Sequence, residues 1–132
     1  MTEPKITIVI MDRPLPDWPT ITRTDCGAVV DFQGLVRGEE GGREIAGLDY
    51  VAYREMAAKE MERIAHELLV DYPCREIYVA HRLGFVPVGE AAIALRIASP
   101  HRGEAIKFLE HFMIRLKQDV PIWKQISPST AP

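Results

Sequence analysis

Prolines end the two stretches of this chain that carry a helical apolar period, and the strand-like segments around those stretches narrow the fold to an α+β arrangement. The first stretch, residues 56–72, sets Ala57, Met61, Ile64, Ala65 and Leu68 on one stripe and stops at Pro73. The second follows Ser99 and Pro100 and stops at Pro121. Its stripe is Ala105, Ile106, Leu109, Phe112, Met113 and Leu116, with Glu104, Lys107, His111 and Arg115 opposite. Strand-like segments surround both: 6–10, 28–37, 48–53, 76–83, 91–98 and the extended stretch after Pro121. In 28–37, Val30, Phe32, Gly34 and Val36 alternate with Asp31, Gln33, Leu35 and Arg37, so one face packs and Arg37 projects at the strand end. A turn holding Gly84, Pro87 and Gly89 joins two strands into a hairpin. The order β, β, β, α, β, β, α, β predicts a mostly antiparallel sheet with two long helices packed on it. Periodicity alone does not choose among the folds of that kind.

At 132 residues the chain has the size of one domain with a core of its own. We expect an N-terminal strand and proline-rich connector over 1–26, a core over 27–126 and a loose tail over 127–132. A net charge of −3 argues against a general nucleic-acid binder, which needs a basic surface to displace counterions. Cys26 and Cys74 stand far apart with no metal or redox spacing, so two reduced, inert thiols are expected and no metal site. The start, Met1-Thr2-Glu3-Pro4-Lys5, has no signal pattern, and no apolar run approaches the roughly 20 residues that span a bilayer. A cytoplasmic protein is the expectation. The Gly38–Arg43 stretch reads as a flexible loop without chemistry, since its glycines fit no phosphate loop and its glutamates repel phosphate.

Cations dominate the chemically interesting positions, and no nucleophile elbow, paired acids or His/Cys ligand cluster accompanies them. Ser99 suits an N-cap and Pro100 a first helical residue, which places His101 and Arg102 beside free backbone N–H groups and the positive end of the helix dipole. Such a spot accepts phosphate or carboxylate, and Arg102 adds a forked contact. Lys117 lies one turn beyond Met113, at the edge of the buried face, where it can rest against apolar surface or extend its ammonium into water. After Pro121, alternation puts Ile122, Lys124 and Ile126 on one face and Trp123 and Gln125 on the other. His81 and Arg82 point to opposite faces of their strand and read as structural; His66 and His111 read as surface histidines. Trp123 reads as core or as the wall of a groove.

Taken in order, His101-Arg102, Lys117, Pro121-Ile122-Trp123-Lys124, the strand ending Gly34-Leu35-Val36-Arg37, His81-Arg82-Leu83-Gly84 and Gly89-Glu90 resemble the catalytic (large) subunit family of molybdopterin synthase. The resemblance covers about residues 27–125. It implies an α/β-hammerhead fold and a homodimer built through its sheets. It also implies a small ubiquitin-like partner with a Gly-Gly C-terminus, whose thiocarboxylate supplies sulfur to cyclic pyranopterin monophosphate and so forms the molybdopterin dithiolene. No cofactor and no catalytic cysteine are then needed. Lys117 becomes the principal catalytic residue and Lys124 the second. Arg37, His101 and Arg102 hold the substrate, the last two from the opposite protomer.

The chain departs from the family pattern after Trp123-Lys124, where Gln125 and Ile126 replace a basic residue and a glutamate. Ile106 also stands where the family's His-Arg-x-x-Ala-Phe has phenylalanine, a tolerable apolar swap, and Gly103 weakens the first helical turn. Two other functions fit the same cations: a noncatalytic docking module for a ubiquitin-like partner, and a small phosphate-ligand binding protein.

Overall fold

The computed structural model describes residues 3–128. In chain order it contains β1 (Lys5–Met11), β2 (Ala28–Leu35), β3 (Glu39–Glu40), β4 (Arg43–Ala52), α1 (Arg54–Asp71), β5 (Glu76–Arg82), β6 (Gly84–Pro87), β7 (Ala91–Ser99), α2 (Arg102–Asp119) and β8 (Ile122–Pro128). The larger sheet runs β1-β5-β7-β2, with β1 parallel to β5 and the other pairs antiparallel. Its register lines up Ile6, Ile77, Ile97 and Val30 in one row and Ile8, Val79, Leu95 and Phe32 two residues on. Because side chains alternate across a strand, both rows face one side, and there α1 and α2 lay Met61, Ile64, Phe108 and Phe112 against them. The predicted α+β arrangement, two long helices on a mostly antiparallel sheet, is the one observed.

A second sheet forms around β4, which pairs with β3, β6 and β8. Val36, Ile45, Leu48, Val86 and Ala92 give it a smaller core of its own. Gly47 is required where β4 passes β6: a Cβ there would stand 2.4 Å from the Val86 carbonyl oxygen and 2.6 Å from the Phe85 ring. The connector between β1 and β2 has no regular structure, as its prolines predict. It lies across the sheet through Trp18 against Tyr78, with ring centroids 5.4 Å apart, and through Arg96, which donates to the Pro19 carbonyl oxygen at 2.6 Å.

Several local expectations are corrected. The stretch read as a flexible loop is a hairpin, β3 to β4, closed by Gly41 (φ 60°) and Gly42 (φ 79°). Two successive residues with positive φ are what a tight two-residue hairpin turn needs, and glycine adopts them without strain. The stretch read as a turn after residue 83 contains β6, because its backbone finds β4 as a partner. Ser127 and Pro128, assigned to the tail, continue β8 and pair with Gly47 and Ile45; the remainder of that tail lies outside the described residues. Helix α2 begins at Arg102, not Pro100, and Ser99 is the buried last residue of β7. Its hydroxyl donates to the His101 carbonyl oxygen rather than capping the helix. On α2, Ile106 is 50 % exposed and Phe108 takes the core position instead.

His81 sits where the two sheets meet, buried, with Nδ1 2.9 Å from the Arg82 carbonyl oxygen and the Tyr50 ring edge-on at 5.1 Å. Burial holds its imidazole below the ordinary histidine value, the carbonyl contact opposing this. As pH falls below about 6.5 the unfolded chain takes up this proton first while the folded state resists it, so the stability from neutral His81 is present above that pH and lost below it. The urea midpoint is therefore expected to drop between about pH 7.5 and about pH 5, and His81→Gln to flatten that drop.

Candidate active site

Of the cations singled out in the sequence, Lys117 and the His101-Arg102 pair fall at opposite ends of α2. Lys117 lies in the last turn and is exposed, near the negative end of the helix dipole. The helix ends at Val120, whose N–H donates to the Leu116 carbonyl oxygen at 3.2 Å. Pro121 then turns the chain into β8, with its carbonyl oxygen accepting from the Tyr53 N–H at 3.3 Å. This anchors β8 beside β4 and places Lys124 directly across from Tyr50 in the ladder. Arg37 follows Val36, which is buried and clamped by backbone bonds to Gly89 and Glu90 at 2.8 and 3.0 Å, so the exposed Arg37 departs from a fixed point.

His101 and Arg102 stand at the other end. His101 is the N-cap residue, extended and without a side-chain cap bond, so the first N–H groups of α2 remain open to an anion. Glu104 already brings one negative charge to that turn, and one of its oxygens is buried without a hydrogen-bond partner. Arg102 and Lys117 are fifteen residues apart on one helix, or about 22 Å along its axis, further than the two side chains can span. Within one protomer, Arg102 and Lys117 therefore do not touch. Among the described residues, Arg37, His101, Arg102 and Lys117 enter no ion pair, whereas Lys124 meets Glu40 at 3.3 Å.

Glu40 was missed in the sequence because the stretch around it was read as loop. The signal was available: Gly41-Gly42 between Glu39-Glu40 and Arg43-Glu44 is a hairpin pattern. Trp123 is half exposed rather than core, and its ring meets Tyr53 edge-on at 5.3 Å. His111 is partly covered by stacking on Tyr72 at 5.1 Å, while His66 is exposed. Burial pushes the Cys74 thiol up to about 12, and Cys26 is raised as well, by burial first and Asp25 second. Both thiols stay protonated at neutral pH and are poor nucleophiles. A cleft of about 460 Å³ lies under the connector, and both of its arginines are already paired, Arg96 with Asp31 at 2.6 Å and Arg82 with Glu90 at 2.6 Å. Among the described residues no group of three His, Cys, Asp or Glu side chains could hold a metal, and no helix is long and apolar enough to cross a membrane.

The family model described as MoaE protein matches residues 16–119. The chain belongs to the MoaE family. A molybdopterin synthase catalytic subunit from Taeniopygia guttata is 40% identical over 101 residues, which are 76% of this chain and 65% of that protein. The human molybdopterin synthase catalytic subunit is 38% identical over 100 residues, 76% of this chain and 53% of that protein. This MoaE-family chain thus spans between half and two thirds of those relatives. The crystal structure of molybdopterin synthase from Staphylococcus aureus superposes with a TM-score of 0.80 at 30% identity, covering 99% of this chain and 95% of that one. Fold and family agree with the resemblance read from His101-Arg102, Lys117 and Pro121-Ile122-Trp123-Lys124.

Proposed function

We propose that this chain is the large subunit of a molybdopterin synthase and works as a homodimer carrying two small ubiquitin-like subunits. In this reading it transfers sulfur from the thiocarboxylated Gly-Gly terminus of the small subunit to cyclic pyranopterin monophosphate, forming the dithiolene of molybdopterin. The observation that carries the reading is the end of α2, where Lys117 and Lys124 flank the Pro121 turn in a chain of the MoaE family. The curated relatives bear the name catalytic subunit, which supports a role beside a second subunit.

The chemistry follows from the inventory. Sulfur arrives as a thiocarboxylate and is itself the nucleophile, bonding to a carbon of the substrate; water then attacks the acyl carbon and the acyl carbon–sulfur bond breaks, leaving the sulfur on the substrate and a carboxylate on the small subunit. The large subunit must hold the anionic substrate and stabilise the charge that develops on the acyl carbonyl oxygen as water attacks. Lys117 polarises that carbonyl and exchanges protons with the reacting atoms, work for which a lysine ammonium suits and a permanently charged guanidinium does not. Lys124 orients the substrate from β8. Arg37 binds its phosphate or pterin, with His101 and Arg102 completing the pocket from the opposite protomer, a division supported by the length of about 22 Å that α2 puts between Arg102 and Lys117.

The test is dithiolene formation from cyclic pyranopterin monophosphate and a thiocarboxylated small subunit, with conversion of the thiocarboxylate to carboxylate followed by mass spectrometry. Both signals are expected with the unaltered protein. Partner binding without either signal would leave the docking-module reading, and phosphate-ligand binding without a partner would leave the binding-protein reading.

A further inference from the structure

Lys124 is the second lysine of the proposed site, and it does not stand alone. Glu40 reaches it from a segment 84 residues away in sequence, Oε2 to Nζ at 3.3 Å. The two partners differ in setting: the lysine side chain is 54% exposed and the glutamate 24%. Glu40 owes its place to the glycine hairpin, which pairs it with Arg43 and turns it back over β4. Tyr50, across the ladder from Lys124, completes the group and rests edge-on against buried His81. Burial first, and the nearby charge of Glu40 second, raise the Tyr50 phenol above its ordinary value.

An exposed pair of this kind adds little to stability. What it does impose is direction. A lysine has four rotatable bonds and samples many rotamers, and a carboxylate on one N–H of the ammonium selects the set that points at the hairpin. Two N–H groups then remain for a substrate oxygen.

We propose that Glu40 is a positioning residue for Lys124, holding its ammonium beside the hairpin so that it meets the substrate already oriented. This rests on the sulfur-transfer reading and adds a residue to it. Orientation changes the rate of the bound complex rather than its formation, so Glu40→Gln should lower kcat on the order of tenfold while KM for the thiocarboxylated small subunit stays within about twofold. Glu40→Asp, which keeps the charge but shortens the reach, should fall between the two. Glu39→Gln, one residue away and outside any ion pair among the described residues, should match the unaltered protein. The decisive comparison is in a Lys124→Ala background: a residue acting through Lys124 should then change the residual rate by less than about twofold, since the pair no longer exists. An unchanged or higher kcat in Glu40→Gln overturns the proposal, as does the same fold loss with Lys124 absent. No product from the unaltered protein would instead overturn the functional reading, and this inference with it.

Discussion

Lys117→Ala is expected to lower dithiolene formation by a factor of about 100 or more, the scale on which a positioned acid–base group acts. The lysine is exposed, so its removal should move stability by no more than about 0.5 kcal/mol, and the loss will not reflect unfolding. Circular dichroism and partner affinity measured on the same preparation check that point. Lys117→Arg separates charge from proton exchange. It retains a cation at the end of α2 but cannot give up a proton near neutral pH, so activity close to that of the alanine variant is expected. Full activity in Lys117→Arg would reduce the role of Lys117 to electrostatics, and full activity in Lys117→Ala would move the chemistry to Lys124.

Phe108→Ala is expected to destabilise the fold by about 3–5 kcal/mol, read from the urea midpoint at constant slope. Phe108 is fully buried and lies nearly parallel to Phe112, with centroids 6.1 Å apart and 11° between the planes. Truncation removes apolar contact and leaves a cavity that the sheet cannot close, because the facing residues belong to paired strands. A loss of that size is a large share of the roughly 5–15 kcal/mol by which domains are stable. Ile106→Ala, two residues away but half exposed, should cost about 1 kcal/mol or less. Equal losses at the two positions would mean that the apolar stripe of α2 runs through Ile106 after all.

The contrast between Ile106 and Phe108 illustrates how far a sequence carries. Helical period placed Ala105, Phe112 and Leu116 in the core, since 3.6 residues per turn is a local property of the backbone. The same period does not say how wide the buried stripe is or where its edges fall. That depends on how α2 seats on β2 and β7, and here Phe108 is buried while Ile106 is left half exposed. The helix start shifted for a similar reason. Ser99 has the chemistry of a cap, but β7 continues far enough to pair Ser99 with Ala28, which buries it before α2 can begin.

What the sequence determined by itself was local or ordered along the chain: the two helices that stop at Pro73 and Pro121, the alternating strands, and the succession of His101-Arg102, Lys117 and Trp123-Lys124 that leads to the MoaE family. What only the tertiary structure decided was which distant segments meet. The strand β6 exists because β4 lies beside it, Glu40 faces Lys124 because a two-glycine turn folds it back across the second sheet, and Arg102 is held about 22 Å from Lys117 because a rigid helix separates them. Backbone pairing and ion pairing between segments depend on positions in space. Spacing along the chain fixes those positions within one element and leaves them open between elements.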